Sequence, residues 1–229
     1  MKRTAFLIYI VLSVNFSLSA QKEELITVKA GMKVRDAFTV SEIYMYSEFI
    51  PGRIFFKNGK IADKDLNYNY LAGEMEFIQV HDTLSIVNKK DIEFVVTARD
   101  TFYYDKGYIE QLNSGTVKIG LKQFIELKEI QNKDSYGTAS SGSATNSYGT
   151  LPVDGNFYKL VANKDMILKK KLQYYISTPE SGFNICNRKN VIQMFPENED
   201  KIKSYLKSNK VKYDSREDLL KLAEYLETL

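Results

Sequence analysis

The chain has 229 residues, with 32 Lys and Arg against 29 Asp and Glu, and a formal net charge of +3. One Cys, one His and no Trp exclude an internal disulfide and a tetrahedral zinc site of the Cys/His kind. Without Lys2 and Arg3 the basic count falls from 32 to 30 against 29 acids, a balance that gives no electrostatic case for nucleic acid or anionic lipid.

Residues 1–20 read as a cleavable signal peptide. Lys2 and Arg3 supply a positive start, and an apolar run from Ala5 to Val14 follows, interrupted by Tyr9 and Ser13. Ser17-Leu18-Ser19-Ala20 then ends on a small residue before Gln21. A retained membrane anchor needs about 20 apolar residues, and this run is too short. No Cys lies near residue 20 to accept a lipid, and no later segment is long and apolar enough to span a bilayer. The expectation is an exported protein starting near Gln21, in the periplasm or on the periplasmic face of the outer membrane, with secretion as a further destination.

Within 21–131 the pattern is that of an antiparallel β body. Leu25-Ile26-Thr27-Val28 is a first strand candidate. From Gly52 to about Leu127, short runs of Ile, Phe, Tyr and Val alternate with turn signals such as Asn58-Gly59, Ala72-Gly73, His81-Asp82 and Asp105-Lys106-Gly107. Asn58-Gly59 is the strongest hairpin signal, because both residues tolerate the positive φ of a two-residue turn. In Leu66-Asn67-Tyr68-Asn69-Tyr70 the apolar residues take one face and the asparagines the other. Glu74 and Glu76 alternate with Met75 and Phe77 in the same way, as on a solvated sheet face. Phe94-Val95-Val96 is apolar on both faces, as in a covered central strand.

Residues 132–152 are rich in Ser and Gly and carry the tetrapeptide Ser-Tyr-Gly-Thr twice. That composition buries too little apolar surface to offset ordering entropy, so a flexible loop is expected. From 153 to 229 come two further strands, within Phe157 to Ile176 around Asn163-Lys164-Asp165, and then helices. Asn187 caps a short helix that Pro196 interrupts, a second carries Ile202, Tyr205 and Leu206, and Ser215 with Asp218 forms a capping box for a third. The fold class is therefore mostly β with a C-terminal helical segment (α+β): an antiparallel meander forming a sandwich or partial barrel, plus two or three helices.

The stretch Gly-Arg-Ile-Phe-Phe-Lys-Asn-Gly from Gly52, the following Leu-Asn-Tyr-Asn and Glu-Met-Glu-Phe-Ile, the run Asp100-Thr101-Phe102-Tyr103-Tyr104, and the tail from Phe195-Pro196 through Leu226 resemble a family of uncharacterised exported proteins of Bacteroidota. The resemblance implies an envelope or surface setting in a diderm bacterium and carries no activity with it.

Catalytic constellations are sparse. His81 sits at a turn, Cys186 reads as a small core residue, and no Gly-x-Ser-x-Gly elbow is present. Paired acids, with Glu74 and Glu76 beside Asp63 and Asp65, leave a carboxylate-based hydrolase open, although without Trp the broad aromatic platforms of a saccharide cleft are missing. Lys169-Lys170-Lys171 reads as a solvated strand edge that blocks aggregation. The positive signal is aromatic: 16 Tyr and 13 Phe. Tyr44, Tyr46, Tyr68, Tyr70, Tyr103, Tyr104 and Tyr108 are the candidate ligand or partner surface, because Tyr combines an apolar ring with a polar tip. The expected function is a non-catalytic exported protein, with no cofactor or metal, that binds another envelope protein through its β face or helical tail. The alternatives are a barrel-like binder of an apolar small molecule and the hydrolase.

Overall fold

A computed structural model describes residues 25–133, 139–140 and 160–229. The expected signal peptide at 1–20 lies outside these residues, as do most of the Ser/Gly-rich stretch 132–152 and Phe157.

The first strand is β1 (Leu25–Val28), followed by the short helix α1 (Val40–Ile43). The meander comprises β2 (Ile50–Phe56), β3 (Ile61–Asn69), β4 (Glu74–Gln79), β5 (Asp82–Ser85), β6 (Ile92–Thr97), β7 (Thr101–Tyr104) and β8 (Tyr108–Gln111). Two long strands follow, β9 (Lys118–Lys133) and β11 (Asp165–Thr178), accompanied by β10 (Ala139–Ser140) and β12 (Ser181–Ile185). The chain ends in α2 (Arg188–Met194), α3 (Glu199–Ser208) and α4 (Arg216–Leu226).

All these strands join one antiparallel sheet in the order β1-β11-β9-β8-β7-β6-β2-β3-β4-β5, with β10 on β9 and β12 on β11. The sheet is not closed, and it curls far enough that the Tyr68 hydroxyl donates to the Gln123 carbonyl of β9 at 2.9 Å. The protein is therefore a partial barrel with C-terminal helices.

Packing falls into three cores around the β9–β11 ladder. The curl of β2–β8 encloses Ile54, Leu66, Met75, Val95, Phe102 and Tyr108 among others. The helices lay Val191, Ile202, Leu206, Leu219, Leu222 and Leu226 on Ile119, Leu121, Tyr174 and Ile176. The N-terminal segment packs Val28, Val34, Phe38 and Ile43 on Ile125 and Leu168. The helix signals act locally: the Asn187 side chain accepts from Asn190 N at 2.9 Å, and Ser215 Oγ accepts from Asp218 N at 3.2 Å. The second half of that capping box is not made, because the Asp218 carboxylate accepts instead from Lys212 N at 2.9 Å.

Several local expectations change in the folded chain. The β2–β3 hairpin closes over three residues, with Phe56 N bonded to Lys60 O at 2.9 Å and only Gly59 at positive φ (80°). This is the type I turn with a left-handed glycine that forms the next commonest hairpin. Of the two strands expected around Asn163, the one after it is the long strand β11, while residues 160–162 before it bond to 31–34, as in Ala162 N to Met32 O at 2.8 Å. The second strand lies further on, as β12. Within β11, Lys169 is flanked by Leu25 of β1 and Glu126 of β9, whereas among the described residues Lys170 and Lys171 pair in the sheet with β9; the Lys171 side chain meets Glu126 at 3.1 Å, and Lys170 Nζ stands 3.7 Å from the Tyr70 ring centroid.

Both faces of the end of β3 are buried. Residues 44–48 run beside it, so Asn67 and Asn69 are only 1% exposed. Asn67 satisfies three backbone groups at once: it accepts from Tyr46 N at 3.0 Å and donates to Tyr46 O at 2.9 Å and Glu48 O at 3.1 Å. Leucine would keep its branched shape and orphan all three, and buried polar groups without partners are costly. Asn67→Leu is expected to destabilise by about 3 kcal/mol in urea unfolding, against under about 1 kcal/mol for the exposed turn change Asn58→Ala.

Candidate functional site

The seven candidate tyrosines divide between the two faces of the sheet. Tyr46, Tyr68, Tyr70 and Tyr108 are buried, so they line the interior rather than a contact surface. Alternation along β3 and β8 aims Tyr68 and Tyr108 into the curl, where Tyr68 meets Tyr70 edge-on at 5.5 Å, Phe102 at 5.9 Å and Tyr108 at 6.1 Å between ring centroids. Burial opposes ionisation and pushes their hydroxyls upward, Tyr70 to about 12. Tyr46 donates to Asp100 Oδ2 at 2.7 Å. Tyr44 is half-buried and donates to Glu76 Oε2 at 2.8 Å.

Tyr103 and Tyr104 remain half-exposed, and Tyr103 belongs to a row of rings on the outer face of the sheet. Phe55 and Phe94 are register partners on β2 and β6 and stack at 4.5 Å. Phe94 lies 6.1 Å from Tyr103, and Tyr103 lies 5.5 Å from Phe183 with their planes at 50°, a wedge rather than a stack. Phe183 comes from β12 and lies over Gly120 of β9, where an added Cβ would stand 2.8 Å from its Cε1. The bare backbone at 120 therefore admits the ring. Lys118 Nζ donates to the Tyr103 hydroxyl at 2.9 Å.

This row runs into an open cleft of about 570 Å³ walled by Tyr103, Tyr104, Phe183 and Ile92. Its polar lining includes Lys57, Lys118, Glu93 and Asp105, with the hydroxyls of Ser114, Thr116, Thr178 and Ser181. Phe55, Phe94 and Phe183 were not legible as site residues. Odd–even parity places Phe55 and Phe94 opposite the inward Ile54 and Val95, but Phe183 arrives from a strand some 80 residues further along (183 against 103).

The acids take other parts. Glu74 and Glu76 are 3% and 4% exposed, so they are not on a solvated face, because residues 44–48 and the β5–β6 connection cover them. Asp63 and Asp65 are exposed, and Asp63 pairs with Arg53 at 2.9 Å. Glu74 is ion-paired with Lys89; burial raises its pKa against the pull of that lysine, and its Oε2 has no hydrogen-bond partner among the described residues. Glu110 is buried beside Gln123, which donates to it at 3.4 Å. Burial, then the Asp100 charge, raise its pKa above the ordinary value, while Arg216, Gln123 and Lys170 work in the opposite direction.

His81 lies exposed in the β4–β5 turn, and Cys186 is buried with its thiol pushed up to about 12 by burial, far from a reactive thiolate. Among the described residues no three His, Cys, Asp or Glu gather as a metal site, and no helix is long and apolar enough to cross a membrane. No family model, curated protein or solved structure matches the chain.

A carboxyl whose pKa is raised by folding is held more tightly protonated in the native state, so stability falls as pH rises from the unfolded value of about 4.5 through the folded one. Glu110→Gln is thus expected to raise the unfolding midpoint at pH 7. The gain shrinks as pH falls and vanishes below about 4, which thermal melts across that range would read.

Proposed function

We propose that this chain is a non-catalytic exported protein of the cell envelope that binds its partner through the outer face of the sheet. The single observation that carries this reading is the outward aromatic row, Phe55–Phe94–Tyr103–Phe183, leading into a polar-walled cleft. Large rings left half-exposed in line on a pleated face cost hydration and contribute little to the core, whereas they suit contact with a ligand or partner. The leader-like residues 1–20 and the resemblance to exported proteins of Bacteroidota support the envelope setting.

The helical tail is less suited to the role. Its apolar stripes, with Ile202, Leu219, Leu222 and Ala223 fully buried, lie on β9 and β11. Tyr205 and Tyr225 stack on each other at 3.9 Å. The small-molecule alternative draws no support from the curl, where aromatic rings are already in mutual contact. The hydrolase alternative is weakened because Glu76 is held by Tyr44 and Asn69, and Glu74 by Lys89.

Retention of the mature protein on isolated envelopes tests the reading. Tyr103→Ala with Phe183→Ala is expected to release most of it into the soluble fraction, while Tyr205→Ala with Tyr225→Ala leaves it bound. Equal retention of both double variants would remove the outer face from the function.

A further inference from the structure

Resting on that reading of the outer face, we propose that the cleft takes an uncharged oligosaccharide. Three features of the site converge on this class of ligand.

The first is the wedge of Tyr103 and Phe183, whose planes open at 50° above Gly120. An aromatic face carries negative charge density, and the C–H patch on one side of a sugar ring carries the opposite polarity, so the two stack without either giving up a hydrogen bond. Phe94 and Phe55 continue the row in steps of 6.1 and 4.5 Å. Phe55 and Phe94 stack on each other with planes at 25°, so they brace Tyr103 from the side and leave the wedge itself as the face offered to a sugar. The platform that the absence of Trp argues against is assembled instead from Phe and Tyr on separate strands.

The second is the polar wall. A sugar presents hydroxyls that both donate and accept, and it needs partners of both kinds when water is removed. Lys57 and Lys118 donate, Glu93 and Asp105 accept, and the hydroxyls of Thr116 and Ser181 do either. A lipid tail would leave these groups without partners, which is costly.

The third is charge. The lining holds two cations, Lys57 and Lys118, against two anions, Glu93 and Asp105. A polyanion such as a nucleic acid or a sulfated glycan is recognised by clustered cations, and here each cation has an acid within the same wall. Balanced charge favours a neutral chain.

The test uses the whole mature protein on a printed array of neutral, amino-sugar-containing and anionic glycans, with calorimetric titration of the best neutral hexasaccharide. The proposal expects binding to at least one neutral glycan that persists when salt is raised to about 0.5 M. Tyr103→Ala and Phe183→Ala should each weaken it about tenfold, while Tyr103→Phe, which keeps the ring and loses the bond from Lys118, should bind within about threefold of the parent. Broadening or shifting of the Tyr103 ring resonances on titration of the unaltered protein reads the contact directly, whether or not a variant folds.

Binding to no neutral glycan, binding only to anionic glycans, or neutral binding that leaves Tyr103 unmoved would each overturn the proposal. If the array is blank while envelope retention still depends on Tyr103 and Phe183, the occupant is another class of partner, such as a protein, and only the glycan assignment falls. If neither depends on the two rings, both fall.

Discussion

The ladder between β9 and β11 is the constraint on which the other layers depend. Its register runs from Ser177↔Lys118 to Asp165↔Gln131, with one bulge between Ile167 and Leu168. Such a pairing fixes which side chains share a face along its whole length, because a slip of one residue would invert them all. One end of the inner face receives the helices on Ile119, Leu121, Tyr174 and Ile176. Towards the other, Ile125 and Leu168 receive the N-terminal segment. Between them Gln123 ties in the curl, through Tyr68 at its carbonyl and Glu110 at its amide. The sheet thus curls around a fixed rail without closing.

The same alternation that fills the curl builds the outer row. Along β6 and β7, Val95 and Phe102 point inward and Phe94 and Tyr103 point outward. Inward rings lose water and gain close contacts, and they hold the curl shut. Outward rings gain only their neighbours along the row. The energetic asymmetry between the two faces separates structural aromatics from those left for a ligand. Phe183 completes the row because β12 folds beside β11 and Gly120 leaves room beneath its ring.

The buried carboxylates show how local polarity can mislead. Glu74 and Glu76 alternate with Met75 and Phe77, and alternation of this kind ordinarily marks one wet face. Here residues 44–48 run along β3, Tyr44 bonds Glu76, and Asn67 and Asn69 bond backbone and carboxylate in place of water. A covered polar face is tolerable only when nearly every group on it is paired. Among the described residues, the buried side-chain atoms left without a partner are Glu74 Oε2 on this face and the Tyr108 hydroxyl.

By itself the sequence determined the features that depend on neighbours in the chain. These were the meander, the mostly β class with terminal helices, the Asn187 and Ser215 caps and the apolar stripe of α4. Each follows from side-chain period, turn geometry or capping within a few residues. Only the tertiary structure decided which face of each strand is dry, because that depends on what packs above it. Burial of Asn67 and Glu76 came from a segment some 20 to 30 residues earlier (residues 44–48), and that of Glu74 from the connection that carries Lys89. The split of the seven tyrosines into four interior and three half-exposed rings followed from the direction of the curl. The cleft needed Phe183 to meet Tyr103 from a distant strand. Composition and spacing specify what a strand can bury; the fold's long-range pairings specify what it does bury.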